Sequence, residues 1–241
     1  MRIYRDLVKW YPLITRASDY LEEAAHLLRL IEAASDGPAE TLLELGSGAG
    51  HMASHLKTRL RCVLTDLSPQ MLDVSRALNP ECEHLQGDMR TLDLKRAFDI
   101  VLAHDAIGYM TCERDLQSAM ETASAHLRTG GIAIFIPDNV RETFEGTCQC
   151  GGYDAPDGRE LRYLEWAYDP DEADTAITVE FALMIREPGN AVRVEHDTHI
   201  TGLFDRPTWR RLLMNAGLEP ADVAVHDPHA GEHEVFVARR I

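Results

Sequence analysis

Long apolar runs are missing from these 241 residues: no stretch approaches the roughly 18 uninterrupted hydrophobic positions that a membrane-spanning helix needs. Basic residues are scarce as well, 24 lysines and arginines against 40 acidic side chains, for a net charge of −16 at neutral pH. A surface that acidic repels phosphate backbones and anionic lipid, so neither nucleic acid nor a membrane is expected as a partner. The five cysteines (62, 82, 112, 148 and 150) are odd in number and lack paired C-x-x-C spacing. That pattern argues against a disulfide framework and fits free thiols in a reducing cytoplasm. The charged start, Met1-Arg2-Ile3-Tyr4-Arg5-Asp6, carries no secretory signal pattern. Internal repeats and low-complexity segments are absent too. What is present is 45% hydrophobic residues over a length that buries a full core, the composition of a globular cytoplasmic protein.

The hydrophobic pattern alternates between two periods. Leu21, Ala24, Ala25, Leu28 and Ile31 recur at helical spacing and predict a helix over 17–34, ended by Ser35-Asp36-Gly37-Pro38. Short apolar runs at 41–45, 62–65, 98–103 and 132–136 predict buried strands. Helices are expected between them, from about His51, over 70–78 behind the Ser68-Pro69 cap, and over 113–127. Strands and helices in that rhythm imply a parallel sheet covered on both faces, an α/β doubly wound fold. After Asp138 the pattern changes: 143–159 reads as a long loop, followed by three β-type runs at 161–168, 176–186 and 191–203. These predict an antiparallel β cap insertion over about 140–204. The core is then about 36–139 and 205–241, with a helix from Arg206-Pro207 and strands at 223–225 and 235–237.

The first strand runs into Gly46-Ser47-Gly48-Ala49-Gly50, a turn that lets the backbone approach a ligand at a helix start. A dinucleotide fingerprint, G-x-G-x-x-G, would need glycine at position 51, where His51 stands, and a pyrophosphate disfavours the acidic Glu44 before the turn. The E-x-G-x-G-x-G form favours a cofactor with a cationic amino-acid end. Asp66, at the tip of the second strand, is placed to accept both hydroxyls of a ribose. Asp88 and Met89, after a third strand, suit the amino group and ring of an adenine.

The residues Leu43 to Gly50, Asp66-Leu67-Ser68-Pro69-Gln70-Met71-Leu72 and Gly87-Asp88-Met89-Arg90 resemble the class I S-adenosylmethionine-dependent methyltransferases. Phe98-Asp99-Ile100-Val101 and Leu127-Arg128-Thr129-Gly130-Gly131 fit the same family. The later part, through Leu203-Phe204 and Ala216-Gly217-Leu218, is similar to the small-molecule branch that includes nucleotide-amino-sugar N-methyltransferases. It differs from that branch at Pro137-Asp138-Asn139-Val140 and in the histidine-rich 227–233. The resemblance implies a seven-stranded Rossmann-like sheet of order 3-2-1-4-5-7-6 and methyl transfer from S-adenosyl-L-methionine to a small-molecule acceptor. It also implies that Gly46, Ser47, Gly48 and Glu44 line the methionine end, Asp66 takes the ribose, and Leu67 and Met71 flank the adenine. Asp88 and Met89 would meet the adenine edge, the His104 backbone would meet the methionine end, and Arg16 would pair with the cofactor carboxylate. A homodimer is a further possibility.

In-line displacement on a sulfonium needs alignment more than activation: a neutral amine acceptor needs little help from a base, whereas a hydroxyl benefits from a histidine near neutral pKa. His104 is the candidate base, with Asp105 and Tyr109 behind it. Tyr11 and Tyr20 could close over the active site, but read first as packing residues of the first helix. Two other classes share the motifs: a protein that binds the cofactor without turnover, and an enzyme using it for other chemistry. His196 and His199, three apart on a strand, point to opposite faces, and the turn His226, His229 and His233 lacks supporting cysteines, so no metal is expected.

Overall fold

The computed structural model describes residues 1–221 and 234–241. Seven strands form one sheet: β1 (Thr41–Leu45), β2 (Arg61–Asp66), β3 (Glu83–Gln86), β4 (Phe98–His104) and β5 (Leu127–Ile136), then β10 (Leu218–Pro220) and β11 (Phe236–Arg240). Their order is β10-β11-β5-β4-β1-β2-β3, with β1 to β5 mutually parallel and β11 antiparallel to β5. This is the expected 3-2-1-4-5-7-6 order. The reason lies in adjacent apolar residues. Leu42, Ile100, Leu102, Ile132 and Ile134 pack into a core shared with α1 (Leu21–Ala34) and α2 (His51–Leu56). Their neighbours Leu43, Val101, Ala103, Ala133 and Phe135 pack into a second core on the opposite face, with α4 (Glu113–Ala125) and α5 (Arg206–Asn215). Successive strand residues face opposite sides, so a run without polar alternation must be covered twice.

The caps hold the helices where the sequence indicates. Ser68 accepts from the Met71 amide ahead of α3 (Pro69–Leu78), and Asp205 accepts from the Thr208 amide ahead of α5, each with proline in the first turn. Several boundaries differ from expectation. The first helix opens as a tighter 3-10 turn at Ala17–Tyr20, because the Asp19 carboxylate accepts the Arg16 amide at 2.8 Å. A separate 3-10 turn occupies Val8–Leu13. β5 begins at Leu127 instead of Ile132, with an irregularity opposite Phe98 and Ile100. Gly131 permits this: a Cβ there would lie 2.9 Å from the Arg128 carbonyl and 3.0 Å from that of Asp99.

The cap sheet has four strands where the pattern predicts three: β6 (Thr147–Gly151), β7 (Glu160–Tyr168), β8 (Ala176–Arg186) and β9 (Arg193–Gly202), all antiparallel. β6 falls inside the expected loop. It is an edge strand exposed along nearly its whole length, so burial imposes no alternation on its Thr-Cys-Gln-Cys-Gly sequence. The inner face of the cap packs Leu161, Leu183 and Ile185 against Ile3, Leu7, Trp10 and Leu13. The N-terminal segment and the cap therefore form one wall. β10 was not anticipated, and the strand expected at 223–225 lies outside the described residues, as do His226, His229 and His233.

Candidate active site

A cavity of about 2290 Å³ opens at the carboxyl ends of β1, β2 and β4, bounded on the other side by the N-terminal segment and the cap. Glu44, Gly46, Ser47, Gly48, Asp66, Leu67, Met71, Asp88, Met89 and His104 all line it. Open α/β sheets take their ligands at this end, where the connections diverge from the strand tips.

The glycine turn is built by backbone bonds. Gly46 and Ser47 both donate their amides to the Thr65 carbonyl at 2.8 Å, and Gly46, Gly48 and Gly50 all have positive φ. The Gly48 amide donates to Asp66 Oδ2 at 2.8 Å, and the Ser68 amide to Oδ1 at 2.7 Å. The carboxylate is thereby fixed at the tip of β2. Burial raises its pKa, and the amides of Ser68, Gly48 and Leu67 only partly oppose the shift. Each oxygen retains capacity to accept a further hydrogen bond.

Glu44 is the last charged residue before the turn and is buried, at 3% exposure. Burial pushes its carboxyl up to about 8; His104 opposes the shift, while Asp66 and Asp105 add to it. Among the described residues, Glu44 Oε2 and Ser47 Oγ are buried with no hydrogen-bond partner. An unsatisfied buried polar atom costs about 1–3 kcal/mol, so two of them on one loop call for a ligand rich in donors.

His104 is buried with both ring nitrogens occupied. Nε2 lies 2.7 Å from Glu23 Oε1 and Nδ1 lies 3.3 Å from Asp105 Oδ2. Burial alone would depress its pKa, but Asp105, Glu23 and Glu44 outweigh burial and hold it at about 10. At neutral pH the ring is an imidazolium donating from Nε2 to Glu23 and ion-paired through Nδ1 with Asp105, with no lone pair for a proton. This corrects the expectation of a general base: the reasons are Asp105 beside it and Glu23 of α1, a residue 81 positions away in the chain. Asp105 itself sits at φ +48, a sparsely allowed conformation for a side chain other than glycine. Its carboxyl is raised by burial and by Glu23, against the opposing effects of His104 and of a hydrogen bond with Asp138.

At the far end Asp88 is clamped by Arg90, with Nε at 3.0 Å from Oδ1 and Nη2 at 2.6 Å from Oδ2. Arg90 is held in turn by Asp115 at 2.7 Å and keeps Asp88 below the usual carboxylate range. Met71 is buried under the turn, whereas Leu67 is 62% exposed. Arg16 is not brought to this cavity: it is exposed, its guanidinium 3.6 Å from the centre of the Tyr153 ring. In its place stand aromatic residues. His51, kept neutral by burial at about 4, stacks on Tyr11 with ring centres 5.8 Å apart and tilts against Tyr20 at 5.5 Å. Both tyrosines line the cavity, so they do more than pack the first helix. Sequence reasoning missed His51, Glu23 and Asp138. The last two carry no local pattern, and His51 figured only as a broken glycine motif.

A family model described as a methyltransferase domain matches residues 42–131. Over 205 residues, 84% of this chain and 85% of the relative, the chain is 28% identical to the dTDP-3-amino-3,4,6-trideoxy-alpha-D-glucopyranose N,N-dimethyltransferase of Streptomyces venezuelae. It is also 28% identical over 217 residues (88% and 84%) to the dTDP-3-amino-3,6-dideoxy-alpha-D-glucopyranose N,N-dimethyltransferase of Streptomyces fradiae. The SAM-bound structure of CalS10, an amino pentose methyltransferase from Micromonospora echinaspora, superposes with a TM-score of 0.76 at 25% identity, covering 92% of each chain. A doubly wound sheet of the expected order, a glycine turn beside an unpartnered buried acid, and these relatives agree: the chain carries a methyltransferase domain over residues 42–131 and is an S-adenosylmethionine-dependent methyltransferase.

Proposed function

We propose that the protein methylates the amino group of a small, nucleotide-linked amino sugar. The relatives named above act on such amines. The single observation that carries the proposal is the acidic wall of the cavity, where Asp105 hydrogen-bonds Asp138 and Glu165 lies nearby, the carboxyls of Asp105 and Glu165 both raised by burial. Carboxyl groups so placed attract a cationic ammonium and give a neutral hydroxyl no comparable advantage. The cavity exceeds the roughly 300–1,000 Å³ of a single-ligand cleft, which leaves space for cofactor and acceptor together.

In this reading Glu44 and Ser47 take the ammonium of the cofactor's methionine end, and Asp66 accepts the two ribose hydroxyls. Asp88 faces the adenine amino group, with Met71, Met89 and Leu67 around the ring. Bound there, S-adenosylmethionine supplies an electrophilic methyl on a sulfonium. The chain's part is to align the acceptor with that methyl and to exclude water with the lid of N-terminal segment and cap. His104, as an imidazolium, positions Glu23 and Asp105 and takes no proton.

The Glu44 assignment has a thermodynamic consequence. Below pH 8 the free protein holds Glu44 protonated, and an ammonium seated against it favours the carboxylate. Binding is therefore expected to release about one proton at pH 7, where the ordinary glutamate pKa of about 4.3 and the raised value bracket the medium. Calorimetry of cofactor binding in buffers of different ionisation enthalpy reads this directly. The release should vanish in Glu44→Gln, and equal heats in all buffers for the wild type would reject the assignment.

The acceptor is tested by incubating the protein with S-adenosylmethionine and dTDP-3-amino-3,6-dideoxy-α-D-glucopyranose, then weighing the products. Mono- and dimethylated amine is the expected result. Methylation of the 3-hydroxy analogue with none on the amine would overturn the proposal. We further read the protein as a cytoplasmic homodimer. Supporting this are five free thiols and an outer cap face on which Leu164, Trp166, Met184, Val194 and Ile200 are exposed together.

A further inference from the structure

A chain of hydrogen bonds runs from the cavity into the cap. Tyr4 Oη and Tyr109 Oη are 2.7 Å apart, Tyr109 Oη is 2.8 Å from His199 Nδ1, and His199 Nε2 is 3.1 Å from Asp197 Oδ2. Four residues from three separate regions meet in it: the N-terminal segment, the turn after β4, and β9. His199 and Asp197 are both buried, at 3% and 6% exposure.

The chemistry of the far end sets the direction of every bond. Asp197 also accepts the Ile3 amide at 2.8 Å; burial alone would raise its pKa, but that amide and His199 outweigh burial and keep it ionised. An ionised carboxylate only accepts, so His199 Nε2 carries the hydrogen. His199 is kept neutral by burial, which outweighs Asp197. Its Nδ1 therefore holds a lone pair, and Tyr109 must donate to it. With its only proton spent there, Tyr109 accepts from Tyr4. The Tyr4 oxygen is then left as an acceptor at the cavity end of the chain.

We propose that Tyr4, Tyr109 and His199, with Asp197 behind them, form a relay that takes the proton from the protonated acceptor nitrogen. The proposal rests on the amine reading above and adds to it a route for the proton. The acceptor N–H proton passes to Tyr4 Oη, the Tyr4 proton to Tyr109 Oη, and the Tyr109 proton to His199 Nδ1. One positive charge moves from nitrogen to imidazole, where Asp197 stabilises it. The freed nitrogen lone pair forms the new bond to the methyl carbon, and the S–C bonding pair stays on sulfur. The groups facing His199 are Asp197 on its own strand, Tyr109, Tyr4 and the amino terminus, with Phe181 of β8 against the ring. Asp138 acts electrostatically on both tyrosines.

The test compares Tyr109→Phe and His199→Asn with wild type, using the same dTDP-amino sugar, across pH 6.5 to 9.5. A relay of this kind contributes a factor of about 10² to kcat, so each variant should lose that at pH 7 and recover toward wild type as the free amine accumulates. The KM for S-adenosylmethionine should stay within about threefold, as expected for groups outside the cofactor subsite. No loss, or the same loss at every pH, would overturn the relay. Nitrogen-15 NMR of the His199 ring reads the arrangement without turnover. A neutral ring with hydrogen on Nε2 at pH 7 is expected, and Asp197→Asn should change that signature. An imidazolium, or hydrogen on Nδ1, would overturn it. If wild type leaves the amine unmethylated, the amine reading fails, and the NMR result alone decides the relay.

Discussion

Replacing Asp66 with alanine is expected to abolish cofactor binding at micromolar concentrations while leaving the protein folded. The carboxylate does two jobs at the tip of β2. It accepts the Gly48 and Ser68 amides at 2.8 and 2.7 Å, which fixes the glycine turn, and it keeps acceptor capacity for the ribose hydroxyls. Each charge-assisted hydrogen bond lost is worth about 1.5–3 kcal/mol, so two correspond to a rise in Kd of roughly 10²- to 10⁴-fold. The exposed amides left behind can be solvated from the cavity, so the melting temperature should fall by only a few degrees. Calorimetric titration of S-adenosylmethionine and of its demethylated product into both proteins checks this. A Kd within threefold of wild type would rule out Asp66 as the ribose acceptor.

Gly46→Ala should be strongly damaging both to stability and to cofactor binding. Gly46 sits at φ +75, and an added Cβ would overlap Ala106 Cβ and lie 2.9 Å from Met89 Cε. Left-handed backbone costs an alanine about 1–2 kcal/mol, and overpacking adds about 1–3 kcal/mol. The expected loss is about 2–5 kcal/mol, read by chemical denaturation, together with loss of cofactor binding because the turn moves off Thr65 and Asp66. Gly37→Ala is the matched control. A Cβ there meets nothing within 4 Å, so stability should change by less than about 0.5 kcal/mol. Equal stability of the two variants would show that the turn adapts, and the close approach would lose its meaning.

Most of the sheet was legible because its signal is local. Runs such as Leu42-Leu43 and Ile100-Val101-Leu102-Ala103 are apolar on both faces, and that pattern has one solution, a strand covered by helices on both sides. β6 was illegible for the converse reason: an exposed edge strand has no burial to write a pattern. Turn chemistry was equally local. The spacing of Glu44, Gly46, Asp66 and Asp88 brings them to one cavity, since each sits at or just past the carboxyl end of a strand.

Protonation states and partners were another matter. His104 looked like a base because histidine titrates near neutrality, and Glu23 and Asp105 together make it an imidazolium. Arg16 looked like a cofactor ligand, and Tyr153 of the cap takes its guanidinium instead. His199 read only as half of a failed metal pair, yet its ring is aimed by Asp197 at Tyr109. The sequence by itself determined which segments form buried strands and where the glycine turn falls, because hydrophobic period and backbone conformation are properties of neighbouring residues; the strand order came from the resemblance those motifs carry. Only the tertiary structure decided which groups carry protons and which line the cavity. Those depend on burial and on carboxylates brought within about 3 Å from distant parts of the chain, and a Coulomb interaction at that range is fixed by spatial distance, not by position in sequence.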